Sequence, residues 1–218
     1  MGTFSLLICN GEPPGKRLAG RLARKAGYII AADGGANAAR RLGIRPDVII
    51  GDLDSVTSAT QRTFSDVLQV KVARQDNTDL EKALDFLAAR RRREVVILGA
   101  TGRRIDFTLA NVSVIWRYTR SMSIVFAGDG WRAMPVVGRL ALHASRGTTV
   151  SLLPFGPCSG ITLKGLRYPL TNAAMRVGEV GVSNVVLRSP CLVSVKRGRM
   201  LAVVLDNRAG NMPAGGEW

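Results

Sequence analysis

Residues 28–54, YIIAADGGANAARRLGIRPDVIIGDLD, carry the pattern that decides the fold. A short apolar run, Tyr28–Ala32, leads into a small-residue helical stretch, Ala36–Leu42, and then into a second apolar run, Val48–Ile50. Short unbroken apolar runs bounded by turn residues predict strands covered on both faces. Strand, helix and strand in succession build a parallel sheet. Each run ends on carboxylates: Asp33 after the first, Asp52 and Asp54 after the second. Open sheets of this kind bind ligands beyond the carboxyl ends of their strands.

The same rhythm extends outward in both directions. Further strands are expected at Phe4–Cys9, Val67–Ala73, Glu94–Leu98 and Ser123–Ala127, with helices at Leu18–Ala26 and Asp79–Arg93. In the Asp79 helix, Leu80, Leu84 and Leu87 with Ala83 and Ala88 form an apolar stripe, and Thr78 and Glu81 have capping-box spacing. After the turn Gly128–Asp129–Gly130 the helical periodicity fades. Short segments follow at Arg132–Val137, Leu140–His143, Thr148–Leu153, Gly160–Leu163, Gly181–Leu187, Leu192–Lys196 and Met200–Leu205, separated by glycine and proline. The fold class is therefore α/β: a three-layer α/β/α domain with a mostly parallel sheet over residues 1–128, then a small antiparallel β-sandwich or barrel over 129–206. Residues 207–218, polar and glycine-rich, read as a loose tail.

Composition narrows the function. With 218 residues and 46% hydrophobic content the chain can build substantial cores, and no run approaches the ~20 apolar residues of a membrane helix. The opening residues read as a first strand rather than a signal peptide. Cys9, Cys158 and Cys191 share no ligand spacing and read as reduced core thiols of a cytoplasmic protein. The net charge of +15 is diffuse, with one short run at Arg90–Arg93 and no interleaved aromatics. That argues against nucleic acid as a partner and for a solvated, arginine-rich surface that attracts phosphorylated small molecules. His143 stands away from every polar cluster, so histidine-based acid–base chemistry is not expected.

Against this basic background, six of sixteen acids follow the apolar runs: Asp33, Asp52, Asp54, Asp76, Asp79 and Asp106. Carboxylates gathered at one end of a sheet repel unless a cation is present, and hard oxygen donors suit magnesium. In an extended segment Asp52 and Asp54 point the same way and can face one ion. Asp76 precedes a helix and Asp79 opens it, where a carboxylate also complements the dipole. Lys82, one turn along, can reach a phosphate, although a lone lysine there reads as surface. GATGRRIDFTLAN, Gly99–Asn111, offers glycines for close backbone approach, a helix start near Asp106 and the cations Arg103 and Arg104. It matches neither the Walker pattern nor G-x-G-x-x-G. Thr108 and Asn111 share a helix face.

In order along the chain, ADGGAN, PDVIIGDLDS, DNTDLEKAL, GATGRRIDFTLAN, GLRYPL (Gly165–Leu170) and VSN (Val182–Asn184) resemble the thiamine pyrophosphokinase family. The resemblance implies an N-terminal α/β/α catalytic domain, a C-terminal β-sandwich, and a homodimer that transfers pyrophosphate from ATP to thiamine, with active sites between subunits. It implies Mg2+ held by Asp52, Asp54 and Asp76, the catalytic carboxylates, with Asp33 lining the same cleft. Asp79, Lys82, Gly102, Arg104, Asp106, Thr108 and Asn111 fall on the ATP side, and Ser183 and Asn184 on the thiamine side. Three positions depart from the family pattern. Phe107 stands for a usual histidine, Arg103 for a usual glycine, and Val185 and Val186 follow where an aromatic is common, leaving Trp131 or Tyr168 to stack on thiamine. The residues alone leave two other classes open, a D-x-D nucleotide-sugar glycosyltransferase and a non-catalytic basic module that binds nucleic acid.

Overall fold

A computed structural model of the chain describes residues 4–73, 76–179 and 181–206. The chain divides into two compact units, Met1–Gly128 and Asp129–Trp218. The expected tail at 207–218 lies outside the described residues.

In the first unit, six strands form a parallel sheet: β1 (Ser5–Ile8), β2 (Tyr28–Ala32), β3 (Val48–Gly51), β4 (Leu68–Lys71), β5 (Glu94–Leu98) and β6 (Ser123–Gly128). Their spatial order is β6-β5-β1-β2-β3-β4, so the winding reverses between β1 and β5. Right-handed crossovers on the two sides of such a reversal place their helices on opposite faces, which makes three layers. The central strands β1 and β3 are buried throughout, whereas β4 is an edge strand in which Leu68, Gln69 and Lys71 are exposed. Polar and charged residues on such an edge discourage pairing with other chains.

Between the strands run α1 (Lys16–Lys25), α2 (Gly35–Leu42), α3 (Ser58–Thr63), α4 (Asp79–Ala89) and α5 (Ile105–Val114). α3 is short and polar, SATQRT, and has no periodicity to announce it. In α4 the capping box forms as spaced: the Thr78 hydroxyl accepts from the Glu81 amide, and the Glu81 carboxylate accepts from the Thr78 amide. Leu80, Ala83, Leu84 and Leu87 are buried as expected, but Phe86 joins them and Ala88 faces out. The helix packs on β2 and β3. It ends at Ala89 rather than Arg93, with the Arg90 guanidinium 3.4 Å from the centroid of the Phe86 ring.

The second unit is antiparallel. β7 (Trp131–Leu142) and β12 (Cys191–Leu205) pair along nearly their whole lengths. The first half of β12 also pairs β9 (Cys158–Lys164), which pairs β10 (Leu170–Met175). Its second half pairs β8 (Thr149–Pro154), which pairs β11 (Gly181–Val185). Two sheets thus share β7 and β12, and the register break between Val195 and Met200 marks the passage from one to the other. Four segments read separately in the sequence are therefore two long strands. Gly138 and Gly198, both at positive φ, interrupt the side-chain alternation without ending either strand. Cys9, Cys158 and Cys191 are all buried free thiols.

Candidate functional site

The winding reversal between β1 and β5 places a crevice at the carboxyl ends of the first unit's strands. Backbone bonds continue past both strands: Cys9 N donates to Leu98 O at 2.8 Å, Gly11 N to Gly99 O at 2.7 Å and Glu12 N to Thr101 O at 2.8 Å. This approach demands glycine. A Cβ on Gly11 would lie 2.4 Å from the carbonyl oxygens of Gly99 and Thr101, and one on Gly99 would lie 2.7 Å from Cys9 O. Over this floor opens a cavity of about 350 Å³. It is lined by the loops after β1, β2, β3 and β5 together with the starts of α4 and α5. That volume suits a small organic ligand.

Asp33, Asp52 and Asp54 each bring a carboxylate oxygen within 4.8 Å of the others. Asp33, at the end of β2, is 3% exposed, has φ +44°, and leaves Oδ1 without a hydrogen-bond partner. A Cβ at Gly51 would meet Asp33 Cβ at 2.7 Å, so glycine there lets the β3 loop close on the β2 loop. Asp52 and Asp54 converge through a tight turn, with Leu53 at φ +69°, rather than through extended backbone. Asp54 N donates to Asp52 Oδ1 at 3.4 Å. Asn37 holds this loop: its Nδ2 donates to Ser55 O at 2.7 Å, and its Oδ1 accepts from Thr57 N and Thr57 Oγ1 at 3.0 Å. Asp76, expected with Asp52 and Asp54, is exposed on the approach to α4 and falls outside this trio, whose third member is Asp33. The reason is local: Asp33 is anchored by its amide to Ile50 O at 2.8 Å, directly beside the β3 end, whereas Asp76 belongs to the chain entering the Thr78 cap.

α4 brings a fourth carboxylate and a lysine. Asp79 lines the cavity, and Lys82, only 5% exposed, places Nζ 2.9 Å from Asp79 Oδ1 and 4.0 Å from Asp52 Oδ2. Burial in this position marks Lys82 as part of the polar cluster rather than a surface lysine. Burial raises the Asp79 pKa, the Lys82 ammonium opposes the shift, and the like charges of Asp33 and Asp52 add to it. Cys9 also lines the cavity, but burial and then the Asp79 charge push its thiol up to about 12. It therefore stays protonated at neutral pH and is no nucleophile.

The α5 end supplies the cations. Arg104 pairs with Asp106 through Nε and NH2, at 3.1 and 2.5 Å, and its guanidinium stands 4.4 Å from the Phe107 ring centroid. The Arg104 bond holds the Asp106 carboxyl below its usual range. Thr108 is turned inward along its own helix, where Oγ1 donates to Arg104 O at 3.1 Å. Asn111 is buried, and its Nδ2 donates to Ala100 O at 2.7 Å, so it fixes the loop after β5. Gly102 has φ +82°, and a Cβ there would meet Glu12 Cβ at 2.6 Å. The loop geometry requires glycine at this position.

The second unit holds Ser183 and Asn184 on β11. Ser183 has φ +61°, and its amide donates to Ser151 Oγ at 3.1 Å. The Asn184 carboxamide grips the backbone of one residue through both of its polar groups: Oδ1 accepts from Tyr168 N at 3.0 Å and Nδ2 donates to Tyr168 O at 2.8 Å. The Tyr168 side chain is left exposed. Asn10 and Asn37 are the site residues that sequence reasoning passed over. Asn37 stood inside a quoted motif, but hydrogen bonds to a loop some 20 residues away carry no local signal.

Comparison with known proteins agrees with this architecture. The model for the thiamin pyrophosphokinase catalytic domain matches residues 19–126, and that for the thiamin pyrophosphokinase vitamin B1 binding domain matches residues 139–200. Thiamine pyrophosphokinase 3 of Oryza sativa subsp. japonica is 30% identical, covering 88% of this chain and 82% of its own. Thiamine pyrophosphokinase of Bacillus subtilis is 27% identical over 74% of this chain and 79% of its own. The crystal structure of a Bacillus subtilis thiamine pyrophosphokinase superposes with a TM-score of 0.82 at 24% identity, covering 94% of this chain and all 100% of that one. That of Candida albicans gives 0.82 at 16% identity, covering 94% and 90%. Two consecutive domain models and relatives matched along most of their length place this chain in the thiamine pyrophosphokinase family.

Proposed function

We propose that this chain transfers the pyrophosphoryl group of ATP to the hydroxyl of thiamine, giving thiamine diphosphate and AMP. The single observation that carries the reading within this family is the trio Asp33, Asp52 and Asp54, gathered beyond the strand ends, with Asp33 lining the cavity on the winding reversal. The thiamine oxygen attacks the β-phosphorus, the bond from that phosphorus to the α-phosphate oxygen breaks, and AMP departs. Such transfers ask a protein mainly for alignment and charge stabilisation.

The residues fit magnesium. Their donors are all carboxylate oxygens, and Asp33 Oδ1 is buried without a partner, a costly arrangement unless a cation or proton meets it. Asp52 and Asp54 would hold Mg2+ with Asp33, and Asp76 enters as the carboxylate that the family resemblance adds. Bound there, the ion supplies charge neutralisation on phosphate oxygens. In this reading Lys82 and Arg104 assist on the phosphate side, and Asp54 takes the hydroxyl proton, a role supported by its being the exposed member of the trio. Asp79, Gly102, Asp106, Thr108 and Asn111 shape the ATP pocket. The domain roles follow, catalytic and ATP-binding over 1–128 and thiamine-binding over 129–206, with Ser183 a direct contact and Asn184 presenting Tyr168. A homodimer belongs to the same reading, supported by exposed Ile105 and Leu109 on α5. No described helix is long and apolar enough to cross a membrane. A cytoplasmic location is part of this proposal.

The deciding experiment incubates the protein with thiamine, ATP and Mg2+ and follows AMP and thiamine diphosphate together. Equal accumulation of both is expected. Release of a nucleoside diphosphate, or no thiamine diphosphate at all, overturns the reading.

A further inference from the structure

Three of the cations near the cavity differ in how their charge is met. Lys82 is paired with Asp79, and Arg104 with Asp106. Arg103 lines the cavity, yet its hydrogen bonds go to neutral acceptors: NH1 donates to Asn10 O at 3.2 Å and to Asn10 Oδ1 at 3.5 Å. Glu12 packs its side chain on Gly102, but no ion pair between Glu12 and Arg103 occurs among the described residues. Among the described residues Arg103 thus carries a guanidinium tied to neutral acceptors and outside any ion pair.

Its backbone adds a second observation. Arg103 has φ +55°, a left-handed conformation that a residue with a Cβ rarely adopts. Gly102 and Arg103 together turn the chain so that Arg103 N–H bonds reach back across 93 residues to Asn10 on the β1 loop. Asn10 is itself seated: a Cβ on Gly34 would lie 2.3 Å from its Nδ2, so the β2 loop has made room for it. A left-handed non-glycine residue whose side chain is tied to Asn10 beside a cavity is a candidate for functional constraint.

We infer that Arg103 binds the phosphate tail of the nucleotide and that Asn10 is the positioning residue that aims it, an inference resting on the ATP reading above. A planar guanidinium matches phosphate oxygens bidentately, and pre-anchoring through NH1 removes part of the ordering cost. Arg103 lines a cavity that Asp33 and Asp79 also line, so an anionic tail entering it adds to the crowded negative charge and needs a cation beside it. Arg103 is that cation on the α5 side.

The test compares wild type, Arg103→Gly, Asn10→Ala and the double variant as full-length protein. ATP and adenosine binding are measured by calorimetry with Mg2+ at low and high salt, KM for ATP and for thiamine by steady-state kinetics, and stability by thermal unfolding. Arg103→Gly is expected to weaken ATP about tenfold or more, the scale of one charge-assisted contact. Adenosine affinity and the thiamine KM should hold, part of the salt dependence should vanish, and the midpoint of unfolding should stay or rise because glycine suits the left-handed backbone. Asn10→Ala should weaken ATP less, and adding it to Arg103→Gly should change nothing further. Unchanged ATP affinity in Arg103→Gly overturns the inference alone, as does an ATP loss matched by equal losses for adenosine and thiamine with a lower midpoint. A wild type that binds no ATP overturns the reading beneath it as well.

Discussion

Asn111 on α5 donates its side-chain amide to the carbonyl of Ala100, two residues past β5, at 2.7 Å, and both residues are buried. The bond ties a helix to the loop that it follows, 11 residues apart in sequence. Gly99 and Ala100 line the cavity, so the position of this loop sets one of its walls.

Asn111→Ala leaves the Ala100 carbonyl buried and unpaired, which costs about 1–3 kcal/mol. The expected outcome is that loss in urea unfolding together with a raised KM for ATP and a smaller change for thiamine. Unaltered stability would show that water or a shifted loop satisfies the carbonyl equally well.

Asp33→Asn separates stability from function. The native carboxylate is 3% exposed and sits beside Asp52 and Asp54. Removing its charge relieves repulsion, so the metal-free variant should unfold at a higher temperature than wild type. Turnover should fall by roughly 100-fold or more, the scale of losing a preorganised electrostatic contact. Mg2+ should raise the wild-type midpoint through binding linkage and leave the variant nearly unmoved. A variant that is less stable, or that keeps the Mg2+ response, removes Asp33 from the ion site.

What the sequence made legible follows from the range of the signal. The strands of the parallel sheet are read from contiguous apolar runs, because a strand covered on both faces needs no partner information to declare itself. Thr78 and Glu81 are equally local, and their capping box forms as spaced. β10, LTNAAM, was not expected; its exposed Thr171 and Asn172 obscure the pattern, and its pairing with β9 is broken by register shifts. The choice of Asp33 over Asp76 beside Asp52 depends on β2 lying next to β3, a tertiary fact that no spacing encodes. Asn10 was silent for the same reason, since its partner Arg103 lies 93 residues away.

Asp79 gives a pH signature. Its carboxyl is raised chiefly by burial, with Lys82 opposing and Asp33 and Asp52 adding. A carboxyl raised in the folded state binds its proton more tightly there, so its contribution to stability is full below the unfolded value near ~3.9 and is lost as pH rises through the folded value. Carbon-detected NMR of the metal-free protein should show Asp79 titrating above ~3.9, and Mg2+ should move that titration down. A midpoint at or below the ordinary carboxylate value would mean that Lys82 outweighs burial.

The last prediction concerns the second unit. Asn184 is 6% exposed and spends its carboxamide on the backbone N–H and C=O of Tyr168 and on Val185 N. Asn184→Ala strips partners from three backbone groups, so a loss on the order of 1–3 kcal/mol is expected in urea unfolding. The Tyr168 ring is 62% exposed and contributes little to the core, so Tyr168→Ala should keep wild-type stability. If that ring faces the cationic thiazolium of thiamine, Tyr168→Ala raises the thiamine KM several-fold, the scale of an aromatic–cation contact, with the ATP KM unmoved. Asn184→Ala should then raise the thiamine KM as well, because the peptide carrying the ring is no longer held. A Tyr168→Ala variant with an unchanged thiamine KM would leave Asn184 a purely structural clamp and move the stacking role to another aromatic.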